Sequence, residues 1–177
     1  MYPYCAYVST ITDKNDVDKV YHDKHYGVPI KDDDELFGRL LMEINQAGLS
    51  WRTILLKEEG FRKAYHGFDI QQVANYKGED VARLLNDASI IRNRLKVHAA
   101  IHNAKAIQRL QKDYGSFRSW LTARAKELGH DKAAWVKEFK KHFKFVGGEI
   151  VGEFLMSVNL LPGAHGKECK RYRNVIG

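Results

Sequence analysis

The sequence predicts an all-α fold, a compact helical bundle, and three observations predict it. Apolar residues recur at three- and four-residue spacing along most of the chain. Capping residues stand at the edges of those stripes. No segment shows sustained period-two alternation bounded by turn residues.

The elements follow in order. Acidic residues at 32 to 35 open a helix with Leu36, Phe37, Leu40, Leu41 and Ile44 on one stripe. Gly48 ends it, and Ser50 caps the next, from Trp51 towards Lys57. Asp69 caps a short helix through Val73. Glu79 and Asp80 suit the first turn of another, with Val81, Leu84, Leu85 and Ala88 on one face. A link from Asp87 to Ile91 leads into a long helix with Val97, Ile101, Ala104, Ile107 and Leu110 as its buried stripe. Gly115 then Ser116 read as a stop and a fresh cap, before Phe117, Trp120 and Leu121. Trp135, Val136, Phe139 and Phe143 mark a further helix, and Ile150, Val151, Phe154, Leu155 and Val158 the last, broken at Pro162-Gly163. The count is about eight helices. No internal repeat, low-complexity stretch or linker divides the chain, so one domain over residues 1–177 is expected.

Composition is that of an ordinary globular protein, 44% hydrophobic and 29% charged. Lys and Arg total 29 against 22 Asp and Glu, a surplus that suits a polyanion such as nucleic acid. A merely basic enzyme would look the same by charge alone. No apolar run is long enough for a bilayer, and the N-terminus lacks the regions of a signal peptide. A cytoplasmic protein without a membrane partner is therefore expected, in a compartment where thiols stay reduced.

The two cysteines, Cys5 and Cys169, stand near opposite ends. With His22 and His165 they make a Cys2His2 set, the closed tetrahedral complement of a structural zinc ion. His165 and Cys169 share one face of a helical turn. The spacing between the two pairs matches no zinc finger, and unrelated thiols among surface histidines remain the alternative. His98 and His102, four apart, leave a second metal pair open.

Several strings together carry a resemblance. Tyr21-His22-Asp23 is followed by Gly27-Val28-Pro29, and residues 43 to 51 read Glu-Ile-Asn-Gln-Ala-Gly-Leu-Ser-Trp. Phe143-Lys144-Phe145-Val146-Gly147 comes later, and His165 and Cys169 close the series. In order and over nearly the whole chain, this resembles the 3-methyladenine DNA glycosylase I family. The resemblance implies the helix-hairpin-helix glycosylase fold. It implies hydrolysis of the N-glycosidic bond of 3-methyladenine in duplex DNA, leaving an abasic site and free base. It also implies Cys5, His22, His165 and Cys169 as ligands of one structural zinc. The chain departs from the usual pattern at Ser89 and Leu95 of the hairpin region, at Tyr7 and Tyr26 where Trp is common, and in the loop before His165.

Residue roles follow from that implication. A flipped base needs aromatic walls, for which Tyr21, Tyr26, Trp51 and Tyr7 are the candidates; core packing is the ordinary fate of any one of them. Glu43, by itself a solvated helix carboxylate, becomes the catalytic candidate that accepts hydrogen bonds from a cationic base. DNA docking falls to the segment around Ser89, Arg92, Arg94 and Lys96, where a helix start and cations meet a phosphate. Gly48 and Leu49, at a turn, offer an apolar wedge. The family uses water as nucleophile, so a monofunctional enzyme acting as a monomer is expected. The competing reading is a non-enzymatic, zinc-stabilised DNA-binding module.

Overall fold

The computed structural model describes residues 2–175. Among these are eleven α-helices, one 3-10 turn and no strand. In chain order they are α1 (Pro3–Ser9), α2 (Val17–Lys24), α3 (Asp33–Gln46), α4 (Trp51–Leu56), α5 (Glu58–Ala64), the 3-10 turn (His66–Phe68), α6 (Ile70–Ala74), α7 (Gly78–Asn86), α8 (Arg94–Tyr114), α9 (Phe117–Leu128), α10 (Lys132–His142) and α11 (Gly148–Ser157). The helices beyond the expected eight are short. α1, α2 and α5 have at most 8 residues each, too few for a repeated apolar stripe. α7 stops at Asn86, so Ala88 lies in the exposed link and not on a helix face.

The expected caps at Ser50, Asp69 and Ser116 form, and others join them. Asp16, Asp32, Ser50, Asp69, Asn93, Ser116 and Asp131 each accept a backbone N–H in the first turn of the helix they precede. Gly115 ends α8 at φ +86°, a left-handed conformation that glycine adopts without steric cost.

α3 is the centre of the fold. It packs against α4, α5, α6, α8, α9 and α11, and every residue from Leu36 to Asn45 is buried. One stripe was legible in sequence, but the helix is covered on all sides. Arg39 and Glu43 are therefore buried as well. The acidic start of α3 ties neighbours to it. Asp33 accepts the backbone N–H groups of Phe117 and Arg118 at 2.8 and 3.0 Å, capping α9. Asp34 does the same for Ile70 at the start of α6, at 3.0 Å, and Glu35 pairs with Arg62 of α5. A second, small apolar cluster of Tyr21, Tyr26, Leu55 and Ala164 joins the two ends of the chain beside the main core.

Candidate active site and metal cluster

An open cleft of about 1050 Å³ lies between α1, α2, the C-terminal half of α3, α4 and α11. Its walls include Tyr4, Tyr21, Tyr26, Trp51, Glu43 and Glu153. The Tyr21 ring sits 5.2 Å from Trp51 and 5.5 Å from Tyr26, centroid to centroid, and Tyr4 meets Tyr26 edge-on at 5.6 Å. The Trp51 indole N–H is buried without a protein partner, so the aromatic wall carries an unused donor.

Glu43 is 4% exposed. Burial pushes its carboxyl up to about 8, the Arg39 guanidinium opposes the rise, and the Glu153 carboxylate adds to it. Arg39 lies 5.1 Å from the centre of the Tyr21 ring and donates to the Tyr21 hydroxyl at 3.3 Å. The cleft is thus aromatic on its sides and acidic within.

Behind the aromatics stands a Cys/His cluster that could hold a metal ion. The ligand atoms of Cys5, His22, His165 and Cys169 all lie within 4.8 Å of one another, and the first three residues are buried. Both cysteines are free thiols. Cys5 Sγ and Cys169 Sγ each lie 3.6 Å from His165 Nδ1, and Cys169 Sγ lies 3.7 Å from His22 Nε2. Tetrahedral bonds of about 2.3 Å to sulfur and 2.0–2.1 Å to nitrogen would set S and N roughly 3.5–3.6 Å apart. The donor set and its spacing therefore fit a tetrahedral metal ion. The outer ring nitrogens are also placed for it: His165 Nε2 meets the Tyr26 carbonyl at 2.9 Å, and His22 Nδ1 meets Asp23 at 2.8 Å. Tyr4, Tyr21 and Ala164 line the cleft, and each immediately precedes a member of the cluster. Holding the four residues together thus also holds the cleft wall.

The link 87–93 between α7 and α8 forms the second surface of interest. Ser89 and Arg92 are exposed on it, and Arg94 is exposed at the start of α8. Ser89 donates its hydroxyl and backbone N–H to Asp87 at 2.6 and 2.8 Å, and Lys57 donates to the Ala88 carbonyl at 3.0 Å. Gly60 lets α5 approach: a Cβ there would come within 2.6 Å of the Ser89 carbonyl oxygen. At the cleft rim, Gly48 sits at φ +81° and Leu49 is 37% exposed.

This geometry has close counterparts. The profile of the methyladenine glycosylases, "Methyladenine glycosylase", matches residues 11–172. The chain is 37% identical over 157 residues to DNA-3-methyladenine glycosylase 1 of Escherichia coli (strain K12), covering 80% of this chain and 84% of that one. A solved structure on 3-methyladenine recognition by 3-methyladenine DNA glycosylase I from Staphylococcus aureus superposes with a TM-score of 0.83 at 30% identity, over 97% of both chains. A variant 3-methyladenine DNA glycosylase I, solved in complex with 3-methyladenine, also gives 0.83, at 29% identity over 97% of this chain and 98% of that one. The chain belongs to the methyladenine glycosylase family.

In this methyladenine glycosylase the structure brings Glu43, Tyr21, Tyr26 and Trp51 together, and places other candidates differently from expectation. Tyr7 does not line the cleft. It is 47% exposed and stacks on Tyr4, which occupies the wall instead. The reason is helical register: with Cys5 turned into the Cys/His cluster, a residue two further on lies roughly 200° around the helix, facing out. Lys96 is not a surface cation. It is 8% exposed and its ammonium donates to the Asn45 carbonyl at 3.1 Å, near the C-terminal end of α3, where a cation meets the negative pole of that helix. His98 and His102 do not pair as ligands either. His102 Nε2 is engaged with the His142 carbonyl at 3.1 Å, and no other group of three or more potential ligands gathers among the described residues.

Tyr4, Arg39 and Glu153 were not anticipated. Tyr4 had one signal, adjacency to Cys5. Arg39 and Glu153 had none, since a charged residue inside a helix reads as solvent-facing.

Proposed function

We infer that this chain is a base-excision repair glycosylase that hydrolyses the N-glycosidic bond of 3-methyladenine in alkylated double-stranded DNA. The observation that carries this is the buried acid Glu43 in an aromatic cleft, in a chain of this family. The relatives' names give the substrate. A damaged base must leave the stack to be reached. It would enter between the rings of Tyr21, Tyr26, Trp51 and Tyr4. Its positive charge gains a cation–π contribution of about 1–2 kcal/mol against those faces.

Glu43 accepts hydrogen bonds from the exocyclic amine. In the free protein its raised pKa favours the protonated form at neutral pH; a cation alongside favours the carboxylate again. The methylated base is already a good leaving group. The glycosidic electron pair goes to the base, which departs neutral; water adds its oxygen to C1′ and loses a proton. The enzyme need not protonate the base, so fit and charge in the cleft can do most of the discrimination. The products are free 3-methyladenine and an abasic site.

The finer assignments belong to the same reading. The Cys5–His22–His165–Cys169 cluster takes zinc, with all four positions filled by protein, so the ion is structural. Residues 1–177 act as one domain, a monomer in the cytoplasm, whose reducing conditions suit the free thiols. α7, the 87–93 link and α8 form the hairpin that docks on DNA, and Leu49 at the rim is the wedge that fills the place of the flipped base. A purely DNA-binding module would have no use for a buried acid in an aromatic cleft.

Excision from methylated duplex DNA tests the reading directly. The expected result is release of free 3-methyladenine with no protein–DNA adduct trapped by borohydride. No release would refute the enzymatic reading, and a trapped adduct would indicate an amine nucleophile in place of water. Docking is tested separately. Arg92→Ala and Arg94→Ala should each weaken binding to damaged and undamaged duplex alike and lower the logarithmic salt slope by about one. Normal binding at every salt concentration would remove the link from the interface.

A further inference from the structure

Glu153 stands in the same cleft as Glu43 but comes from a different helix, α11. Its neighbours Val151, Phe154 and Leu155 are buried in the core, which fixes the helix, while Glu153 itself is only partly covered. The Tyr26 hydroxyl donates to Glu153 Oε2 at 3.2 Å and so holds its carboxylate against the aromatic wall. Two acids thus line one site, and the guanidinium of Arg39, which donates to the Tyr21 hydroxyl, also acts on Glu43. With both acids ionised beside the Arg39 guanidinium, a neutral ligand would leave one negative charge unbalanced; a cationic base balances it and favours the ionised pair.

We propose that Glu153 is a second base-recognition residue, positioned by Tyr26, which together with Glu43 makes the cleft select a purine carrying a positive charge. This deepens the glycosylase reading and rests on it. It also gives a reason for product release, because the base becomes neutral when the glycosidic bond breaks.

The surrounding charges set the pH behaviour. Glu43 interacts with Arg39 on its own helix, with Tyr21 and Tyr26, and with Glu153 from α11. Glu153 interacts with Tyr26, Tyr21, Glu149 and Lys132. Burial raises the Glu153 carboxyl above its ordinary range, and the Tyr26 hydrogen bond opposes the rise. Glu153 in turn adds to the rise at Glu43. Excision that needs ionised Glu43 should increase as pH climbs through the Glu43 value. Removing the like charge at 153 lowers that value, so the rising limb must move towards lower pH.

The test is kcat/KM for 3-methyladenine excision from duplex DNA across pH 5 to 9, for wild type, Glu153→Gln and Glu43→Gln, with thermal unfolding as a check of folding. Glu153→Gln should shift the rising limb to lower pH and reduce the plateau about tenfold or more. Glu153→Ser carries the test should the glutamine variant not fold. A Glu153 variant with wild-type plateau and unshifted limb would overturn the proposal while leaving the glycosylase reading intact. An inactive wild type, or a Glu43→Gln protein as active as wild type, would instead strike the underlying reading.

Discussion

Glu43→Gln should slow single-turnover excision of 3-methyladenine by about one to two orders of magnitude and, at the same time, make the protein more stable at alkaline pH. The rate effect follows from losing a charge-assisted hydrogen bond, worth roughly 1.5–3 kcal/mol. The stability effect follows from burial. A carboxyl whose folded pKa is about 8 binds its proton more tightly in the folded chain than in the unfolded one. Its stabilising contribution is complete below the ordinary carboxyl range near pH 4 and is lost as pH rises through about 8. Glutamine keeps the shape and cannot ionise, so the variant escapes that loss, by up to a few kcal/mol. The measurement is chemical unfolding of both proteins at pH 5 and pH 9, beside their excision rates with matched metal content. A stability difference that does not grow with pH would show that Glu43 titrates as a solvated group. Equal excision rates would show that the base is bound without it.

The second large effect concerns the ends of the chain. Cys169→Ser, or a strong chelator, should lower the unfolding temperature sharply and open the segment after α11 to proteolysis. Structural zinc contributes about 10–16 kcal/mol in the most metal-dependent small domains. A chain with its own large core should lose only a fraction of that, several kcal/mol. Wild type should contain about one zinc per chain. The loss should also reach the cleft. Tyr4, Tyr21 and Ala164 adjoin cluster residues, and the Tyr26 carbonyl meets His165. Affinity for free 3-methyladenine should therefore fall under chelation at temperatures where far-UV circular dichroism still shows a folded protein. A metal-free protein of unchanged stability would dispose of the clip.

Much of this was legible along the chain because it depends on local spacing. Periodic stripes and caps located the longer helices, since helical period and capping are properties of a few consecutive residues. The strings around His22 and from Glu43 to Trp51 named the aromatic and acidic members of the cleft. The Cys and His residues suggested a ligand set beside the alternative of unrelated thiols and histidines, and the spacing did not say that the two halves would meet.

Other features were decided only when the helices packed. The acids at 32 to 35 read as one helix start, yet they divide their work: Asp32 caps its own helix, Asp33 caps α9, Asp34 caps α6 and Glu35 holds α5. Arg94 and Lys96 are neighbouring cations in sequence, yet one faces solvent and the other is buried on the Asn45 carbonyl. Tyr4 and Tyr7 are equivalent in composition, and the direction of Cys5 chooses between them. Glu43 and Glu153 are more than a hundred residues apart and share a site because α11 packs on α3. Period and capping are written into neighbouring residues. Which charges are desolvated, and beside which partners, depends on how much low-dielectric surface each helix receives from the others, and no stretch of sequence contains that by itself.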